Sequence, residues 1–276
     1  MRRSRLGDFG VGAGLALFVL WTMLPIIWLV VSSLLRTKAL TSRPPDLAAA
    51  SWTLGNYREV LASGQSLGPA LLTSTIVSLG TTLIALALGA AAGYALARLS
   101  IPGGDRIALL VLATQMFPGI VIVIPLFIVM SRLGLIDTRA GLIVVYLSFV
   151  LPVVIWILKG FFEAIPRELE RAAAVDGASA WNTFRLVVLP ISWPPLFAAA
   201  VFAFIEAWNE FLFAVVLTRL HTKTAPIAIS EFAGQYQTKI GEMMAAAVLA
   251  CLPVVALAIL FRKAILRGFA EGAVKG

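Results

Sequence analysis

RAGLIVVYLSFVLPVVIWILKGFF, residues 139–162, decides how the rest of this chain is read. Between Arg139 and Lys159 no side chain carries a charge, and the apolar residues run on without alternation. About 20 apolar residues in a helix rise far enough to cross roughly 30 Å of hydrocarbon. With no water there to bond its amides, such a stretch satisfies its own backbone as an α-helix. Five further stretches read the same way: roughly 10–35, 69–97, 107–131, 194–218 and 242–265. A strand barrel would alternate apolar and polar residues. The expected fold is therefore an all-α integral membrane bundle of about six transmembrane helices.

Composition agrees with a bilayer as solvent. Hydrophobic residues make up 60% of the 276 and charged residues 13%, against about 25% charged in soluble domains. Mean hydropathy is +0.96. One bundle, residues 1–276, is expected at this length. The net charge of +8 does not indicate a nucleic-acid partner, because the basic residues flank apolar stretches, where they anchor helices at lipid headgroups. A single cysteine, Cys251, and a single histidine, His221, exclude a disulfide framework and a multi-Cys/His metal site within the chain. Cys251 lies in an apolar run and reads as a packing residue, His221 as a surface residue. After MRRSRLGDFG the first apolar run continues to about Leu35, beyond the roughly 7–15 apolar residues of a signal peptide. It reads as a retained first span.

The connections differ in character. Segment 36–67 is polar, holds Pro44, Pro45, Asn56 and Tyr57, and reads as a partly structured extramembrane loop. Residues 99–105 and 132–138 are short turns, 163–193 is the longest charged stretch between spans, and 219–241 is a second polar loop. An even number of spans puts both termini on one side. With the N-terminus cytoplasmic, 13 Lys and Arg fall inside and 9 outside, the sign of the positive-inside rule. The clusters Arg2, Arg3, Arg5 and Arg262, Lys263, Arg267 carry most of that bias.

Gly89 and Gly93 let helices approach closely, and packing within the chain is the simpler reading of this GxxxG. Pro118, Pro125, Pro152 and Pro253 each remove an amide donor and are expected to kink their spans. A moving pathway and a static bundle both accommodate such kinks.

The most informative polar segment is PRELERAAAVDGASAWNTFRLVVLP, residues 166–190. Pro166 suits the first position of a helix, and Gly177 a left-handed C-terminal position. Between them lie about ten residues, roughly 15 Å of helix. Leu169, Ala172, Ala173 and Asp176 follow helical spacing and form a narrow, small-residue face, with Arg167, Glu168, Glu170 and Arg171 around the rest. Ser179 caps a second helix expected to end before Pro190. Two short helices joined by a glycine turn suit docking into another protein's groove. An ordinary solvated loop with an interfacial helix is the bland alternative.

This segment resembles the EAA loop of bacterial ABC-importer permeases, in which EAA, three residues and Gly precede a downstream Leu-Pro. The matching positions are Arg171, Ala172, Ala173 and Gly177, then Leu189 and Pro190. The extended pattern Glu168, Leu169, Asp176, Gly177 is similar to that of the carbohydrate-uptake, maltose-transporter-like branch. AWNEFLFA (207–214) resembles a signature of the same branch, and GAVKG (272–276) the tail of its smaller permease. The resemblance implies the type I ABC-importer permease arrangement, with residues 163–193 as the loop gripped by an ATPase. It also implies a second homologous permease, an ATPase dimer that binds ATP and Mg, and an extracytoplasmic sugar-binding protein. Arg171 departs from the usual Glu, which in the family pairs with basic groups on the ATPase. Glu170 is one residue, about 100°, around the helix from that position.

No chemistry is expected of this subunit. GxxxxGK[ST] and HExxH are absent from the sequence, it holds no plausible His-assisted nucleophile, and it needs no cofactor of its own. Membrane-embedded polar groups mark the pathway candidates: Glu206, Asn209 and Glu210, at spacings of three and four, with Trp208 as an aromatic plate and Gln115 beside Pro118. A structural role for the carboxylates stays open. By its position in the resemblance, loop 219–241 reaches the binding protein, with Gln235, Tyr236 and Gln237 as its polar tip. The acidic set favours a neutral sugar, while a glycerol-phosphate diester or polyol is the alternative solute. Proton-coupled secondary transport through Glu206 and Glu210 is the rival from another class, and it lacks the inverted repeat such transporters use.

Overall fold

The computed structural model describes residues 5–62, 67–234 and 239–273, with side chains for 11–62, 67–234 and 239–262. The principal helices among the described residues are α1 (Arg5–Ser33), α2 (Leu67–Arg98), α3 (Gly104–Ala113), α4 (Gly119–Arg132), α5 (Arg139–Ala164), α6 (Arg167–Val175), α7 (Trp193–Asn209), α8 (Leu212–Leu217) and α9 (Ile240–Ala273). Among the described residues, four stretches are long and apolar enough to span a membrane: Val11–Ser33, Leu67–Arg98, Arg139–Ala164 and Ile240–Arg262. Two bent helix pairs raise the number to six if each counts as one span.

Those bends refine the expected spans. The third turns by 95° between Gly104–Met116 and Gly119–Arg132. Pro118, extended at φ −60° and ψ 127°, caps α4 at the break. Pro125, Pro152 and Pro253 instead stay inside continuous helices. The fifth apolar stretch is not one helix over 194–218. It stops at Asn209 and restarts at Leu212.

The described chain divides into two compact units. In the first, residues 1–68 with 228–253, buried Asn56 donates from Nδ2 to the carbonyls of Ser33 and Leu35, both at 2.8 Å. The Ser33 and Tyr57 hydroxyls lie 2.7 Å apart. These bonds seat the expected partly structured loop, which contains short helices Thr37–Thr41 and Gly55–Ala62, against the end of α1. Cys251 is exposed, not packed.

In the second unit, residues 69–227 with 254–276, α2 and α5 pack through glycines. A Cβ on Gly89 would stand 2.7 Å from Val154 Cγ1, and one on Gly93 3.0 Å from the Lys159 amide nitrogen. The GxxxG therefore serves packing within the chain, where small residues let backbones touch. Below it Tyr94, Phe162 and Phe184 form an aromatic cluster, with centroids 4.7 Å (Tyr94–Phe184) and 5.9 Å (Tyr94–Phe162) apart.

Candidate coupling loop and translocation site

Helix α6 is built by its flanks. Ile165 and Pro166 are extended, so the helix opens at Arg167, one residue later than Pro166 suggested. Glu168 and Glu170 occupy the first turn, where the helix dipole favours negative charge. At the other end Gly177 has φ +82°. The Ala178 N–H donates to the Ala173 carbonyl at 2.9 Å and the Gly177 N–H to that of Ala174 at 3.1 Å, a Schellman closure. The Ser179 hydroxyl then accepts from the Asn182 N–H at 3.3 Å.

The second short helix does not end before Pro190. It widens into a π turn over Phe184–Val188 and continues through Leu189–Ile191. The wider turn relieves the clash a proline ring makes with the carbonyl four residues back. Leu189 is half-buried beside the aromatic cluster and Pro190 is exposed.

Exposure divides the loop residues. Leu169, Ala172 and Asp176 face outward as one stripe, flanked by exposed Glu168, Arg171 and Gly177. Ala173 does not complete that stripe, since it is half-buried on the side turned toward the spans. Val175, 88% exposed, extends the stripe, and Trp181 and Leu186 add apolar surface nearby. The sequence reading passed over these three; Val175 was legible as the i+3 neighbour of Ala172. Glu170 also turns inward, with its Oε1 2.8 Å from Arg98 Nε.

The pathway candidates separate as well. Glu206 and Asn209 share an exposed face of α7. Glu210 leaves that face because the helix ends at Asn209 and Glu210 is extended (φ −64°, ψ 128°). Its carboxylate caps α8, accepting from the Phe213 N–H at 2.7 Å and the Ala214 N–H at 3.0 Å. Trp208 is 4% exposed and stacked on Phe204, so it offers no open aromatic plate. Gln115 is exposed in the turn Thr114–Met116 at the α3–α4 bend. A Cβ on Gly119 would lie 3.3 Å from Leu212 Cδ2 and 3.5 Å from the Phe213 ring, which sets this break beside the one between α7 and α8. Two interrupted helices thus meet near exposed Gln115, Glu206 and Asn209. Irregular backbone at membrane depth is tolerated where it is buried in protein or lines a cavity.

At the base of loop 219–241, Asp137 is a left-handed residue with φ 55°. Its carboxylate accepts the N–H groups of Arg219 (3.0 Å), Leu220 (3.2 Å), His221 (3.1 Å) and Thr222 (3.1 Å), and the Thr222 hydroxyl at 2.7 Å. Partial burial alone would raise its pKa, but these donors outweigh it and hold the carboxyl well below the usual carboxylate range. His221 is exposed, as expected. Gln235, Tyr236 and Gln237 lie outside the described residues.

Helices long and apolar enough to span a membrane, two bent pairs among them, and a glycine-closed helix pair between apolar stretches define the class of a membrane transport subunit. Residues 85–271 match the model of the family described as binding-protein-dependent transport system inner membrane component. The chain belongs to that family, the permease subunits of ABC importers. It is 40% identical to the trehalose transport system permease protein SugB of Mycobacterium tuberculosis, covering 94% of this chain and 95% of that one. It is 36% identical to the trehalose/maltose transport system permease protein MalG of Thermococcus litoralis over the full length of both. The diacetylchitobiose uptake system permease protein NgcG of Streptomyces coelicolor is 33% identical, covering 93% of this chain and 86% of that one. Among solved structures, a bacterial ABC transporter involved in import of the acidic polysaccharide alginate superposes with a TM-score of 0.78 at 22% identity. That match covers 95% of this chain and 99% of the other, and it supports the type I importer fold.

Proposed function

We propose that this chain carries a neutral sugar across the membrane as one of two permeases in an ATP-driven importer. The observation that carries the reading is the stripe Leu169, Ala172, Val175 and Asp176. It is exposed on a helix whose opposite side is tied to the spans, so a partner seated on the stripe can move the bundle. The ATPase is a separate dimer that binds ATP and Mg and docks on residues 163–193. The termini and this loop face the cytoplasm, while 219–241 meets an extracytoplasmic binding protein. A second permease is supported by α1, whose most apolar stretch has no buried residue within this chain. Relatives named for trehalose, maltose and diacetylchitobiose make a neutral di- or oligosaccharide the solute of choice. Glu210 acts as a helix cap, which removes one of the two carboxylates that proton coupling would use.

The test is uptake of labelled trehalose, with maltose and diacetylchitobiose in parallel, by proteoliposomes holding the whole complex and its loaded binding protein. Import that needs internal ATP, stops with vanadate and ignores a protonophore supports the reading. Import abolished by the protonophore and indifferent to vanadate contradicts it.

A further inference from the structure

We propose that Arg98 is a positioning residue that latches the docking helix α6 to the second span, so that α6 and the end of α2 move as one body. The inference rests on the importer reading above. Arg98 is the last residue of α2, and its side chain is 4% exposed. Its Nη2 donates to the carbonyl of Ile165, the residue that ends α5, and its Nε lies 2.8 Å from Glu170 Oε1. One guanidinium therefore ties together the ends of two spans and the helix on which the motor sits. The planar guanidinium carries donors on separate edges in a fixed geometry, so it reaches the two acceptors from one rigid group.

The surroundings strengthen the tie. Tyr94, one turn before Arg98, packs edge-on against Phe162 and tilted against Phe184. Glu170 is 19% exposed, and Arg98 Nε and Glu170 Oε1 meet as an ion pair, neither atom having a hydrogen-bond partner. An ion pair walled from water is screened less than one on the surface. No residue of α6 is fully buried, and Ala173 alone of its apolar side chains is half-buried, so the helix has little hydrophobic hold on the bundle. Among the described residues, the Arg98–Glu170 pair is the side-chain polar link between α6 and a span. This also assigns Glu170: it faces inward to the latch, and Arg171 is the charge presented to the motor.

The experiment uses the whole complex of both permeases and the ATPase dimer, with Cys251→Ser in this chain and spin labels at Leu99→Cys and Arg167→Cys. Both labelled positions are exposed, and Arg167 lies off the docking stripe. The probe is Mg-ATP trapped with vanadate. With the latch intact, the label separation changes by less than about 2 Å between nucleotide-free and trapped complexes, whereas in Glu170→Gln it changes by about 5 Å or more. The exchanged pair Arg98→Glu with Glu170→Arg recovers most of the lost rigidity. If Glu170→Gln does not assemble, Arg98→Lys, which keeps the cation and loses the fork, gives the same comparison. A Glu170→Gln or Arg98→Lys separation as constant as the unsubstituted one overturns the latch and leaves the importer reading standing. Absence of the ATPase from the unsubstituted complex overturns both.

Discussion

At Asp137 a single carboxylate organises four consecutive backbone amides and a hydroxyl. Hydrogen bonds to a charged group contribute about 1.5–3 kcal/mol each, though neighbours are not additive. Asp137→Ala is expected to destabilise the permease by at least about 2 kcal/mol, read as a lowered thermal midpoint in detergent. The folded pKa lies below the unfolded value, so this stabilisation is complete above about pH 4 and is lost as pH falls through the folded pKa. The midpoint difference between the protein and Asp137→Asn should stay constant from about pH 5 to 8 and shrink only in stronger acid. A difference that shrinks near neutrality would refute the assignment. Sequence reading placed residue 137 in a short turn and gave it no role, because its partners lie more than 80 residues away. Arg98 escaped for the same reason: an arginine ending a span reads as a headgroup anchor until Glu170 is seen beside it.

At the scale of elements, composition made the spans legible, since continuous apolar runs of this length leave a membrane helix little alternative. The interruptions were not legible to the same degree. Pro118 marked the third-span bend, but nothing local distinguished it from Pro125, Pro152 or Pro253, which helices absorb. The break after Asn209 has no proline at all. It depends on Glu210 turning to cap α8, and that turn is what divided three equally spaced polar residues between two environments. Glu210→Ala should therefore cost about 0.5–2 kcal/mol of stability, as cap removal does. Glu206→Gln and Asn209→Ala, both exposed, should leave the thermal midpoint unchanged and lower the uptake rate. Equal stability loss in all three variants would argue against this division. Gly93→Leu tests the α2–α5 contact. With backbone atoms 3.0–3.2 Å from its Cβ position, the larger side chain should abolish assembly into the membrane complex, read by size-exclusion chromatography.

For the whole molecule, the account is mechanical. The chain lacks a GxxxxGK[ST] nucleotide loop, and in the proposed importer the opening of a path past the exposed polar groups at the helix breaks is driven by a partner. In the proposed importer the drive enters through α6, where Leu169 and Val175 are 43% and 88% exposed on a helix closed by Gly177. Retention of the ATPase by Leu169→Asp/Val175→Asp tests this entry point most directly, because neither side chain supports the fold of the chain itself. Pulled from membranes by a tag on this subunit, the doubly substituted chain should keep its partner permease and lose the ATPase. ATPase recovered at the unsubstituted stoichiometry, with sugar uptake intact, would contradict the account.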